Sequence, residues 1–392
     1  MKKRRILSFI LAAAMLAVPL AGCSADEEPG NGSGSSEPIV IGGLAPLTGD
    51  VSQYGIAVRN AIEMAVEDIN EAGGILGGRQ ITFICEDEKG DATEATNAYT
   101  KLVDNDGIVA LLGDVTSAPC KAVAARAAAD NLPMLTPSGT DAEITTIGEN
   151  VFRTCFIDPY QGQLMANYAA KKLNAKTAAV LYDSGDSYST GIAKAFVEAA
   201  KEEGITITNE LGYASGSTDF NAQLTSIKSS NPDVLLLPVY YSDVALIVSQ
   251  IKQQGITSTL LGADGWDGVA AQLDPTTRDV VADKAFFCSQ YSAVSTDPEL
   301  QAFLTEYKEK YNLEPNMFAV LGYDSMHIMA EAIEKAGSTD SDAIIQALAE
   351  TNYDGLTGTT TFDEARNPVR EAIITSFDAT GAYKVIESYT MQ

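Results

Sequence analysis

The sequence predicts an α/β protein made of two doubly wound lobes, each built around a parallel sheet. Three observations carry that expectation. From residue 39 onward, short apolar strands alternate with helices of 3.6-residue periodicity, and such alternation implies a parallel sheet with right-handed crossovers. The alternation pauses at residues 151–156 and then restarts. Beyond the N-terminal segments roughly 350 residues remain, enough for two separate cores.

The elements follow in order. Residues 39–44 (IVIGGL) read as a buried strand and 46–49 (PLTG) as a turn. Over 54–72, Ala57, Ala61, Met64, Ala65 and Ile69 share one helical face, and Gly73-Gly74 stops the helix. Gly77-Gly78 turns the chain into a strand over 81–85. A helix over 92–104, a strand over 108–112, a helix over 118–129 and a strand at 134–135 complete the first run. After 151–156, helices are expected over 161–173, 188–203, 220–229 and 244–254. Strands over 177–182, 205–211, 234–238 and 259–262 interleave with them. A strand at 286–288 and helices over 298–311, 318–335 and 341–351 follow, then a strand over 358–362 and two closing strands near Ile373 and Val385.

Two runs stand out as binding loops. Residues 111–117 (LLGDVTS) and 133–140 (PMLTPSGT) each leave a short strand and break into glycine and hydroxyl residues where a helix should start. Glu143, three residues beyond Thr140, has the spacing of a capping box. At the carboxyl end of a strand, such turns aim backbone N–H groups and hydroxyls into a crevice. A helix start favours an anion there, such as a carboxylate. Each run taken singly is also a plain helix cap.

The N-terminus reads as a targeting segment. Four basic residues, Lys2 to Arg5, precede a short apolar stretch that ends in Leu20-Ala21-Gly22-Cys23. That ending resembles the lipobox of bacterial lipoproteins. It implies a leader over 1–22 and a lipid-bearing Cys23, on the extracellular face of the cell membrane. Residues 23–38 read as a flexible Gly/Ser-rich tether. The leader holds four of the 26 basic residues and none of the 53 acidic ones, so the processed chain would carry a net charge near −31 rather than −27. Such a surface argues against nucleic acid and against docking of the folded body on anionic lipid.

Enzyme chemistry finds little support. The single histidine, His327, makes a histidine metal site or catalytic triad improbable and reads as a structural or solvated residue. The nearest approach to a nucleophile elbow, residues 185–189 (GDSYS), lacks its last glycine. No phosphate-binding glycine motif or metal-spaced cysteine set appears. No cofactor is expected. Cys85, Cys155 and Cys288 lie in apolar runs, which favours buried thiols over a disulfide framework.

Several stretches together resemble the leucine/isoleucine/valine-binding protein family. They are residues 44–49 (LAPLTG) with Gln53-Tyr54-Gly55, then Ile69-Asn70 and Gly73-Gly74-Ile75, and residues 136–140 (TPSGT). Phe152-Arg153-Thr154 before Asp158, Gln161 and Gly162, and Tyr182-Asp183 before Tyr188, extend the likeness. The resemblance implies the type I periplasmic binding fold with a three-stranded hinge near Ile157, Gln290 and Phe362. Lobe 1 would comprise 39–156 and 291–362, and lobe 2 would comprise 157–290 and 363–392. It also implies a monomer that captures a small amino acid, by default leucine, isoleucine or valine, for an ABC permease. Polar or aromatic amino acids, short amides and urea stay open as ligands, as does a sensor role.

The resemblance further implies a ligand set. Ser117 would offer hydroxyl and N–H to the α-carboxylate, Ser138 its carbonyl to the ammonium, and Thr140 its hydroxyl and N–H to the head group. Tyr240 and Asp264 would come from the second lobe, with Asp264 pairing with the ammonium. Tyr54, Thr116, Tyr188, Trp266 and Phe318 would shape the side-chain pocket. Asp264-Gly265 is equally a good turn dipeptide. Tyr188 could simply pack on its lobe, and Trp266 could be cleft wall or core.

Overall fold

The computed structural model describes residues 37–292 and 294–391. The expected leader, Cys23 and nearly all of the tether lie outside the described residues. The first sheet contains β1 (Ile39–Ala45), β2 (Ile81–Asp87), β3 (Ala110–Leu112), β4 (Met134–Thr136) and β5 (Val151–Arg153), all parallel in the order β2-β1-β3-β4-β5. The connecting helices are α1 (Ser52–Glu71), α2 (Ala92–Asp104) and α3 (Ser117–Asp130). β3 and β4 are wholly buried, as expected of parallel strands covered on both faces. Asp91 starts α2 by accepting from the N–H groups of Thr93 and Glu94 at 2.8 and 2.9 Å.

The second run continues with α4 (Asp158–Lys171), β6 (Thr177–Asp183), α5 (Ser187–Glu202), β7 (Thr206–Tyr213), α6 (Asn221–Ser230), β8 (Val234–Leu236), α7 (Tyr241–Gln254) and β9 (Thr259–Gly262). Three 3-10 turns and the single-turn α8 (Arg278–Val281) then lead to β10 (Ala285–Ser289). Next come α9 (Pro298–Tyr311), α10 (Met317–Ala336) and α11 (Ser341–Ala349), of which α9 and α10 pack against α1 beside the first sheet. A hairpin, β11 (Asn352–Gly355) and β12 (Gly358–Thr361), precedes β13 (Ala372–Phe377) and β14 (Tyr383–Tyr389).

The second sheet has the order β14-β13-β10-β9-β8-β6-β7. Strands β6 to β10 are parallel and repeat the connectivity of the first sheet. The sheet is not parallel throughout, because β13 and β14 run antiparallel to their neighbours. Only a five-residue turn joins those two strands, too short for a parallel crossover. Both sheets therefore have a reversal of strand order, between β1 and β3 and between β6 and β8, where crevices form at strand carboxyl ends.

The chain passes between the two sheets three times, and hydrogen bonds tie the crossings together. The Phe156 N–H donates to Gln290 Oε1 at 2.9 Å. Arg370, almost wholly buried, donates from Nε to the Thr154 carbonyl at 3.1 Å and from its other nitrogens to Thr357 and Thr360. Cys85, Cys120, Cys155 and Cys288 are free thiols.

Candidate functional site

The first half of the site is made by the loops after β3 and β4. Thr116 is the extended residue before α3, and its hydroxyl caps nothing; it is buried without a partner. Ser117 is the first helical residue. Its Oγ accepts from the Asp141 N–H at 3.2 Å and lies 3.4 Å from Thr140 Oγ1. The Thr136 hydroxyl donates to the Asp114 carbonyl at 2.6 Å and accepts from the Gly139 N–H at 2.8 Å. The Ser138 hydroxyl donates to the Val115 carbonyl at 2.8 Å, so the two loops are stitched together.

No helix starts at Thr140, which corrects the capping-box expectation. The fully buried Arg153 guanidinium accounts for this, donating to the carbonyls of Gly139 and Asp141 at 2.8 and 2.9 Å. The Gly139 carbonyl is thereby kept from a helical ladder, whereas the Asp141 carbonyl still accepts from the Ile144 N–H at 3.1 Å at the single 3-10 turn, Ile144–Thr146, that follows. Glu143 turns outward to Lys121, with Nζ 2.6 Å from Oε2.

The second half comes from β6, β8 and β9. Asp264 opens a 3-10 turn, Asp264–Trp266, directly after β9, so its turn role and its place in the site coincide. Its Oδ1 accepts from the Tyr188 hydroxyl at 2.8 Å, and its N–H donates to Gln161 Oε1 at 2.9 Å. The Gly265 N–H donates to the same Tyr188 hydroxyl at 2.8 Å. A Cβ on Gly265 would stand 2.6 Å from that oxygen, so glycine is required here. The Tyr188 and Tyr240 rings stack at 4.7 Å.

Tyr54 and Phe318 join the two halves. Tyr54, at the start of α1, stacks on Phe318 at 4.0 Å and meets Tyr240 edge-on at 5.8 Å. Its hydroxyl donates to the Gly265 carbonyl at 2.5 Å and accepts from the Tyr241 N–H at 3.2 Å. The Gln53 N–H reaches Tyr241 OH at 3.2 Å, and the Met317 N–H reaches Asp267 Oδ2 at 2.6 Å. The cleft is thus shut, with first-sheet helices bonded to second-sheet loops.

Nine of the ten expected positions line this one region. Trp266 does not. Its side chain is fully buried, its indole N–H donates to the Leu237 carbonyl at 2.8 Å, and it packs near Phe287 and Phe377. A buried indole needs an acceptor, and the strand end at Leu237 supplies one in the core. Arg153, Asp158, Gln161 and Tyr241 were not singled out as site residues. Arg153, Asp158 and Gln161 belong to the stretch that carried the family resemblance, which is the signal that could have found them.

The electrostatics are dominated by buried carboxylates. Burial pushes the Asp264 carboxyl up to about 6, against the lowering effect of its bonds to Tyr188 and Gln161. Asp158 is held well above the ordinary carboxylate range by burial, partly offset by the Thr140 hydroxyl and reinforced by Asp264. Behind the first loop, the fully buried Asp114 and Glu88 carboxyls face each other, and burial raises both. The cleft therefore offers hydroxyls and a helix start from one lobe and uncompensated carboxylates from the other.

Two lobes of matched connectivity, three crossings and a cleft at the strand ends define the type I class of two-lobed binding protein. The chain belongs to the periplasmic binding protein family, whose sequence pattern matches residues 38–382. It is 30% identical over 331 residues to the leucine-, isoleucine-, valine-, threonine-, and alanine-binding protein of Pseudomonas aeruginosa, covering 84% of this chain and 87% of that one. The leucine-binding protein LivK of Thermotoga maritima superposes with a TM-score of 0.81 at 32% identity, covering 89% and 98% of the two chains. The branched-chain amino acid transporter substrate-binding protein LivJ of Streptococcus pneumoniae, solved with isoleucine, gives 0.82 at 34% identity over 89% and 99%. These relatives are binding proteins.

Proposed function

We propose that this protein captures a branched-chain amino acid, leucine, isoleucine or valine, in the cleft and delivers it to an ABC permease. In this reading the lobes are residues 39–156 with 291–362 and residues 157–290 with 363–392, held outside the membrane by lipid on Cys23. The observation that carries it is the placement of Asp264, a buried carboxylate that accepts from the Tyr188 hydroxyl and has no ion-pair partner among the described residues. A ligand ammonium there would form a charge-assisted bond in a closed, dry site. Ser117, Ser138, Thr140 and the α3 start would take the carboxylate and the rest of the head group. Tyr54, Thr116, Tyr188, Tyr240 and Phe318 would enclose the side chain. The names of the relatives support the ligand class.

Ligand selects the closed state, so the chemistry is a population shift and no bond is made or broken. The test is leucine affinity of Asp264→Ala. A loss of roughly 2–5 kcal/mol is expected, because the variant leaves a buried ammonium unpaired. Leucine binding equal to the parent's would remove Asp264 from the site. A second reading, threonine as a further ligand, is favoured by the unpartnered Thr116 hydroxyl, which could bond a ligand hydroxyl.

A further inference from the structure

Only the Thr140 hydroxyl and the more distant Arg153 guanidinium favour the charge of Asp158. It lies at the first position of α4, is 1% exposed, and both of its carboxylate oxygens are buried without a hydrogen-bond partner. An isolated buried carboxylate is costly, and an orphaned one calls for a group that satisfies it. The backbone of Asp158 fixes its place, since its N–H donates to the Thr140 carbonyl at 2.9 Å. Three residues on, Gln161 holds the Asp264 N–H, and Gln161 Nε2 is itself buried and unpartnered. Asp158 therefore stands between the Thr140 loop of one lobe and the Asp264 turn of the other.

Room for the carboxylate is built in. A Cβ on Gly191 of α5 would sit 3.3 Å from both the Cβ and an oxygen of Asp158, so a larger residue there would press on it. One turn earlier on α5, the Ser187 hydroxyl is also buried and unpartnered. Asp158, Ser187 and Gly191 line an open cavity of about 490 Å³ together with Asp141, Lys121 and Lys194. Lys121 is engaged by Asp141 at 3.1 Å and Glu143 at 2.6 Å, and the Arg153 guanidinium is taken by the carbonyls beneath the loop.

We infer that Asp158 is a second ligand-binding carboxylate, which brackets the ligand's ammonium group together with Asp264. This rests on the amino-acid reading above and adds a residue to it. The helix start favours the negative charge on Asp158 while the lobe is open. On closure, the ammonium replaces water as the carboxylate's partner. Two carboxylates around one ammonium also select against uncharged amides, which would leave both acids desolvated without a counter-charge.

The test is Asp158→Asn, an isostere that keeps the helix start, in protein stripped of carried-over ligand by unfolding and refolding. Calorimetric titration with L-leucine is compared with the parent, and the ligand-free melting temperature of each is recorded. The expected result is a ten- to hundredfold weaker leucine affinity with a ligand-free melting temperature equal to or above the parent's. Leucine affinity within twofold of the parent, or a variant that melts well below it, would overturn the inference, since the carboxylate would then be idle or structural. A parent that binds no α-amino acid would overturn the amino-acid reading itself, a result distinct from either.

Discussion

At the scale of the residue, Asp264 and Trp266 show how two neighbours in one turn part company. Asp264 points to Tyr188 and the cleft, while Trp266 runs back to Leu237 and the core. Spacing alone does not show which of them faces the cleft, because at three residues per turn a 3-10 turn points positions two apart about 120° away from each other. Asp158 was hidden for a different reason: an acid before Pro159 at a helix start reads as ordinary capping. Burial raises the Asp264 carboxyl to about 6, which bears on binding. An ammonium partner keeps it charged, so below about pH 6 the ligand must expel a proton to bind. The fold itself gains from the same proton, since this group's stabilising effect is lost as pH rises from the ordinary carboxylate range to about 6. Leucine affinity is expected to be level above pH 7 and to fall by up to about tenfold per unit below pH 6. Titration calorimetry at pH 5 and pH 7.5 checks this, and an affinity that rises on acidification would contradict it.

At the scale of the element, the amphipathic helices and buried parallel strands were legible because hydrophobic periodicity is a property of the local sequence. Helix boundaries fell within a few residues of the expected ones, as at α1, α3 and α7. What was not legible depended on distant groups. The segment after Thr140 makes only a 3-10 turn, with the Gly139 and Asp141 carbonyls bonded to the distant Arg153 guanidinium. Strand β11, with the polar sequence Asn-Tyr-Asp-Gly, has no apolar alternation and exists only by pairing with β12. The loop carrying Thr116 and Ser117 is backed by the Glu88 and Asp114 carboxyls at the ends of β2 and β3. Burial raises both, so the native state holds protons that the unfolded chain releases above the ordinary carboxylate range. Stability from this pair is therefore lost as pH rises. Glu88→Gln is expected to lose less melting temperature than the parent between pH 5 and pH 8. Parallel melting curves for the two proteins would show that the pair shares no proton.

At the scale of the whole molecule, two lobes of similar parallel-strand connectivity meet through bonds from Gln53, Tyr54 and Met317 to Tyr241, Gly265 and Asp267. Tyr54 is the chief of these, stacked on Phe318 and bonded to Gly265 and Tyr241 across the gap. Each such bond contributes only about 0.5–1.5 kcal/mol net, so these bonds by themselves favour closure weakly. The two-lobed plan was readable from the restart of strand–helix alternation, whereas the antiparallel edge of the second sheet was not, since it rests on the length of one turn. The central claim is that the cleft binds a branched-chain α-amino acid through its head group. The most direct measurement is calorimetric titration of the refolded, ligand-free protein with leucine, isoleucine and valine, with urea and a short amide as comparisons. Saturable one-to-one binding of at least one of the three amino acids, and none of urea or the amide, is expected. Binding of urea or the amide, with no heat from any α-amino acid, would contradict it.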